Sequence, residues 1–204
     1  MHSLRCGLIR APAWEIMAMP SEVSDWKIGM QLGQKSPHYS LWLMPTGEVR
    51  KRLAGTILDL SREYATPVFE PHVTLVGGIV GPAREVASKM KDLARRIPPF
   101  TARLTVVDGL DDYLRCLFVR LATTHPIMWA NRAAREVFAL AKQPAFMPHL
   151  SLLYGNLPLS VKEGIIASLS RQFELEFKVN SLHLYLIKSE PAAWRHVASC
   201  GPKL

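Results

Sequence analysis

The chain is poor in cysteine, in acidic side chains and in long apolar runs. Its three cysteines, Cys6, Cys116 and Cys200, are odd in number and widely spaced. They cannot build a disulfide framework, and they lack the close pairing of zinc ligands. No run of about 18 apolar residues occurs, so a transmembrane helix is excluded. Glycine-rich phosphate loops are missing too. No Gly-x-Gly-x-x-Gly follows a strand, and Gly77, Gly78 and Gly81 lack the Lys-Ser/Thr of a P-loop. Those three glycines read as turn residues between a strand and a helix.

What is present describes a folded, basic protein. Hydrophobic residues make up 49% of the 204, too many for a disordered chain and enough for a real core. Lys and Arg number 25 against 17 Asp and Glu, a net charge of +8. Residues 1–37 hold four basic and three acidic side chains, and residues 38–204 hold 21 and 14. The excess therefore belongs to the body of the chain, where it can attract an anion. The densest basic stretches, Arg50 to Arg52 and Lys89 to Arg96, fall on expected helices and read as solvated faces. Aromatic residues do not interleave with them as in a single-strand stacking surface.

Residues 1–37 fit no period and read as a loosely ordered or processed extension. They lack the apolar core of a secretory signal. Cytoplasmic residence is the expectation, with organelle targeting by this extension as the alternative. From residue 38 the pattern sharpens. YSLWLM at 39–44 reads as a strand. Thr46 is placed to cap a helix with Val49, Leu53, Ile57, Leu60 and Tyr64 inward. HVTLV at 72–76 reads as a strand, and a helix begins near Pro82 and stops at Pro98-Pro99. Strands follow at 101–110 and 113–121. Pro126 opens a helix to about residue 141, and HLSLLY at 149–154 is a strand. Ser160 with Glu163 forms a capping box for the next helix. Strands at about 173–179, 182–188 and 194–200 close the chain. The sum is four helices and roughly eight strands.

Two pentapeptides nearly repeat: Pro71-His72-Val73-Thr74-Leu75 and Pro148-His149-Leu150-Ser151-Leu152, 77 residues apart. Each is preceded and followed by a helix at similar distances, so one layout is used twice. Positions i and i+2 of a strand share a face. His72 therefore points with Thr74, and His149 with Ser151. If the two faces meet, they bring together two imidazoles and two hydroxyls and no carboxylate from either motif.

That inventory suits phosphoryl chemistry. A neutral imidazole can take a proton from water while a protonated one gives a proton to the leaving oxygen. Two hydroxyls can hold the nonbridging oxygens. Two histidines alone make a poor metal site, so no metal and no cofactor is expected.

These motifs resemble those of the two-histidine (2H) phosphoesterases. The stretches YSLWLMP at 39–45, FEPHVTLV at 69–76 and FMPHLSLLYG at 146–155 are similar to the plant-type cyclic phosphodiesterases. The resemblance spans residues 38–204 and implies an α+β, bilobal fold. Two pseudo-symmetric lobes, each with an antiparallel-rich sheet and outer helices, would flank a central cleft. It implies metal-independent hydrolysis of ADP-ribose 1'',2''-cyclic phosphate, formed downstream of tRNA splicing, to ADP-ribose 1''-phosphate. Nucleoside 2',3'-cyclic phosphates would open to 2'-phosphates. It implies His72 and His149 as catalytic residues and Thr74 and Ser151 as substrate-binding ones. His149 is the implied base and His72 the implied acid.

The resemblance also places Trp42 and Tyr154 beside the nucleotide. From pattern alone Trp42 is as readily a core residue. Tyr154 alternates away from Ser151 unless the strand ends first. His38, His125, His183 and His196 read as surface or structural, and Cys116 and Cys200 as buried or half-buried thiols. The expected partner is a small anionic nucleotide substrate, with RNA as a second class and no membrane, and the protein is expected to be a monomer. The alternatives are a 2H phosphoesterase acting on RNA ends or 2'-5' linkages, and a non-catalytic binder of phosphoryl ligands or RNA.

Overall fold

A computed structural model describes residues 37–169 and 173–201. The expectations for residues 1–36 lie outside the described residues. The elements run β1 (His38–Leu43), α1 (Gly47–Glu63), β2 (Val73–Val80), α2 (Ala83–Arg96), β3 (Phe100–Asp108), β4 (Leu117–Leu121), α3 (His125–Val137), β5 (His149–Leu153), α4 (Leu159–Leu169), β6 (Glu176–Val179), β7 (Leu182–Ile187) and β8 (Arg195–Cys200). Short 3-10 turns at Tyr113–Arg115 and Pro191–Ala193 precede β4 and β8.

The strands form one eight-stranded sheet in the order β6-β3-β4-β5-β2-β1-β7-β8. Every described pairing is antiparallel. Its two halves mirror one another about the β5–β2 junction. Each half takes a strand from beyond its own sequence repeat. β3 follows α2 yet pairs with β4, and β7 pairs with β1. The helices cross over likewise, since α1 packs on β5 and α3 on β2. Neither repeat can therefore bury its strands without the other.

Alternation divides the sheet into two faces. Leu41, Leu43, Val73, Leu75, Leu150, Leu152 and Leu184 are at most 1% exposed, and the helices cover them. Burying such side chains contributes about 1.5–3 kcal/mol each. That apolar face fixes the register of the central strands, because a slip by one residue would turn it to solvent. The opposite face carries His72, Thr74, His149 and Ser151. Asn131 on α3 is buried and donates through Nδ2 to the Leu75 carbonyl at 2.7 Å, tying α3 to β2.

Several boundaries differ from the sequence reading. Gly77 and Gly78 lie inside β2, not in a turn. The pairing steps from Tyr39↔Ile79 to Leu41↔Val76, so β2 carries one extra residue. Gly78 takes φ +68° within this bulge, a conformation that favours glycine. Gly81, at φ +148°, makes the turn into α2. Ser160 lies inside α4, which begins at Leu159, so it is no cap. Thr46 does occupy the N-cap of α1, but its side chain makes no capping hydrogen bond. Helix α3 stops at Val137, and Ala139 turns the chain at φ 55°. Cys116 ends the 3-10 turn before β4 and is buried, not mid-strand.

Candidate active site

The two motif strands are neighbours. Val73 pairs with Leu150, which sets His72 across from Ser151 and Thr74 across from His149 on the polar face. The four residues form a quartet at the centre of the sheet.

Both imidazoles are held alike. His72 Nδ1 lies 2.6 Å from the Glu70 carbonyl oxygen, and His149 Nδ1 lies 2.8 Å from that of Met147. A carbonyl can only accept, so each Nδ1 carries the hydrogen. In the neutral ring this leaves Nε2 as the acceptor, ready to take a proton.

The flanking strands extend the symmetry. Trp42 of β1 pairs with Thr74, and Phe118 of β4 pairs with Ser151. Trp42 lies against His72 with centroids 3.6 Å apart and planes at 13°. Phe118 meets His149 edge-on at 5.2 Å. Ser40-Leu41-Trp42-Leu43 and Cys116-Leu117-Phe118-Val119 are thus equivalent segments. This second repeat is weak in sequence and becomes plain only through the strand pairing.

The surroundings of the two histidines differ sharply. His72 is 5% exposed and sits among rings. Burial pushes its pKa down to about 4, opposed by the Glu70 carbonyl. His149 is half-buried with arginines nearby. Its pKa is lowered first by burial, then by Arg115 and Arg120, while the Met147 carbonyl and Asp112 act the other way. Arg120 shares the face of His149 by strand pairing and binds Asp108 through Nε at 2.6 Å. Arg115 pairs with Asp112 at 2.8 Å.

The segment from Asp108 to Leu117 brings Arg115 to this side. Gly109 is required there, since a Cβ would meet the Cys116 carbonyl oxygen at 2.6 Å. Asp112 accepts from the backbone N–H of Leu114 and Arg115 and so fixes the 3-10 turn. Lys162, buried on α4, donates to the Leu110 carbonyl at 3.0 Å. Ser151 Oγ donates to the Leu114 carbonyl at 3.0 Å, so the same turn anchors one of the two hydroxyls.

Trp42 does not line an open surface. It is 2% exposed, with His72 on one face and Tyr185 on the other at 3.7 Å. Its Nε1–H donates to Ser40 Oγ at 2.8 Å. Trp42 thus stands behind His72, with both of its ring faces covered. Tyr185 donates to Glu70 Oε2 at 3.0 Å, and burial together with that carboxylate pushes its pKa up to about 12. Tyr154 is also buried, at 4% exposure, and its ring stacks on Phe69 at 3.8 Å. β5 ends at Leu153, which frees Tyr154 to turn back. Burial raises its pKa and the Ser151 hydroxyl opposes the rise, so its phenol lies near the quartet.

Of the other histidines, His38 is half-buried and opens β1, and His125 is exposed and opens α3. His183 is half-buried, with Nε2 2.9 Å from Ser181 Oγ, and His196 is exposed. Among the described residues no three His, Cys, Asp or Glu side chains come together as a metal site. No described helix is long and apolar enough to cross a membrane.

The family model of the 2'-5' RNA ligase superfamily matches residues 47–190. The chain belongs to that superfamily. It is 28% identical over 174 residues to a cyclic phosphodiesterase of Arabidopsis thaliana, covering 82% of this chain and 96% of the relative. The fold is similar to that of Escherichia coli LigT in its apo form, at TM-score 0.57 and 19% identity, covering 82% of this chain and 98% of LigT. It is also similar to TT0787 of Thermus thermophilus, at TM-score 0.57 and 16% identity, covering 80% of this chain and 97% of that one. The superfamily member thus has the α+β architecture of these 2H-type relatives, with one continuous antiparallel sheet and outer helices.

Proposed function

We propose that the protein is a 2H phosphoesterase that hydrolyses a cyclic phosphodiester on the ribose of a nucleotide or an RNA end. One observation carries this reading. Two imidazoles with tethered Nδ1 atoms stand on adjacent strands, each facing a hydroxyl of the other motif.

The chemistry follows from that arrangement. The Nε2 of the neutral histidine takes a proton from water as its oxygen attacks phosphorus. The ester bond to one ribose oxygen breaks, and that oxygen takes the proton from Nε2 of the protonated histidine. Thr74 donates to a nonbridging oxygen, where charge grows in the transition state, and Ser151 does so once its hydroxyl turns from the Leu114 carbonyl. A phosphate monoester remains, and the two histidines have exchanged protonation states.

The superfamily match favours RNA ends or 2'-5' linkages as substrates. Arg115 and Arg120 beside His149 fit a ligand with further phosphates. The relative named cyclic phosphodiesterase favours the smaller reading, ADP-ribose 1'',2''-cyclic phosphate and nucleoside 2',3'-cyclic phosphates.

One experiment separates them. ADP-ribose 1'',2''-cyclic phosphate, 2',3'-cyclic AMP and a short RNA with a cyclic phosphate end are compared with excess chelator present. A 2'-5'-linked dinucleotide forms the fourth arm. Turnover that His149→Ala lowers about 10²- to 10⁴-fold supports the mechanism. Activity lost on chelation and restored by zinc sinks it. An RNA substrate shows a steep fall in affinity with salt, and a small nucleotide a shallow one.

A further inference from the structure

Trp42 cannot receive a base, because His72 and Tyr185 cover both faces of its indole. Another indole stands at the same place with its faces unstacked. Trp194 is half-buried and lies between the 3-10 turn and β8. Its ring centroid is 6.0 Å from His72, 5.5 Å from Trp42 and 5.9 Å from Tyr154. The interplanar angles are 78°, 65° and 64°, so all three contacts are edge-to-face and none is a stack. Among the described residues no ring lies parallel to it. Its Nε1–H donates to the Lys188 carbonyl at 2.9 Å, and its backbone N–H to that of Pro191 at 3.1 Å. The ring is therefore oriented before any ligand arrives, which lowers the ordering cost of binding.

We propose that Trp194 is the platform on which the nucleobase of the substrate stacks, beside His72. This rests on the reading that the site opens a nucleotide-linked cyclic phosphate, and it sharpens the substrate class. The favoured ligand carries an aromatic base on the ribose that bears the cyclic phosphate, so a nucleoside 2',3'-cyclic phosphate or an RNA end suits the site better than ADP-ribose 1'',2''-cyclic phosphate, whose scissile ribose has no base. It also orients the ligand. The base lies toward His72 among the rings, the scissile phosphate lies over the quartet, and Arg115 and Arg120 face the side of His149.

The test uses the full chain and the variants Trp194→Ala and Trp194→Phe. The substrates are adenosine 2',3'-cyclic phosphate and a methyl riboside 2,3-cyclic phosphate that lacks a base. Trp194→Ala should raise KM for the adenosine compound roughly 5- to 100-fold, the range of base–aromatic stacking. Its kcat should hold, Trp194→Phe should recover most of the loss, and KM for the riboside should not move. Equal losses on both substrates, or a loss in kcat alone, would overturn the proposal, because Trp194 would then only pack against His72.

Calorimetry with adenosine 2'-monophosphate reads binding without turnover. Weakening of the same size in Trp194→Ala supports the platform, and an unchanged affinity overturns it. If the wild type opens neither cyclic phosphate yet binds the monophosphate through Trp194, hydrolysis fails and the platform stands. If it opens both with a KM indifferent to Trp194, the platform fails and hydrolysis stands.

Discussion

The imidazole of His72 lies 3.6 Å from the indole of Trp42, nearly parallel to it, and Tyr185 closes the other indole face at 3.7 Å. This three-ring stack is anchored at both ends by Glu70. The Glu70 carbonyl holds His72 Nδ1, and its carboxylate accepts from the Tyr185 hydroxyl. One residue thus fixes the orientation of the His72 ring and of the wall behind it.

Trp42→Ala should therefore act on stability and on kcat together. Removing a fully buried aromatic side chain costs about 3–5 kcal/mol, and His72 loses the surface that orients it. Trp42→Phe should keep most of both. Urea denaturation and steady-state kinetics check this. A Trp42→Ala variant of native stability with only KM raised would show the indole contacting substrate instead.

The burial of His72 also sets a pH dependence of stability. The unfolded state takes up this proton near pH 6.5, while the folded state resists until about pH 4. Between those values the unfolded chain binds more protons, so stability falls as pH drops from 6.5 to 4. The full penalty is about 3 kcal/mol, from about 1.4 kcal/mol per unit of pKa. A His72→Gln variant should lose less stability than the wild type over that window. Parallel losses in urea titrations at several pH values would mean that His72 titrates normally.

Much of the fold and part of the site could be read from sequence, for identifiable reasons. The elements were readable because period-2 and period-3.6 patterns are local. The quartet was readable because His-x-Thr and His-x-Ser each place two side chains on one face. What was missed depends on pairing between distant strands. Arg120 joins His149 only through β4–β5 register, and Trp194 reaches His72 only because β7 returns beside β1. Gly77 and Gly78 looked like a turn because a bulge and a turn draw on the same residue type. Trp42 was ambiguous for a similar reason. Its strand face was legible, but Tyr185, which covers it, is far away in the chain.

The lowered pKa values of both histidines place the optimum of kcat/KM on the acid side of neutrality. This parameter reports the free enzyme, and the proposed mechanism requires one histidine protonated and the other neutral. Because His72 is held near 4, the dominant singly protonated form carries its proton on His149. That order is the reverse of the roles implied by family resemblance, which use the minor form. His72→Gln isolates His149. Residual activity that falls with rising pH identifies His149 as the acid, the expected outcome. Activity that rises with pH assigns it the base role.

His149 should respond oppositely to the two charges of the neighbouring ion pair. Arg115 disfavours the imidazolium, and Asp112 favours it. The pair is in contact at 2.8 Å, so each partly cancels the other at His149. Asp112→Asn leaves the guanidinium uncompensated and should lower the pKa of His149 further. Arg115→Gln leaves the carboxylate and should raise it. Both side chains are partly exposed to water, Arg115 at 43% and Asp112 at 37%, so the shifts should shrink as salt is added. Asp112→Asn keeps a side-chain oxygen for the backbone N–H groups of Leu114 and Arg115, which preserves the 3-10 turn. NMR titration of the His149 ring protons reads both shifts directly. Shifts of the same sign in the two variants would mean that the substitutions move the turn and not merely its charge. The Ser151 bond to Leu114 would then be the contact to examine, since it joins that turn to the His–Thr/Ser quartet.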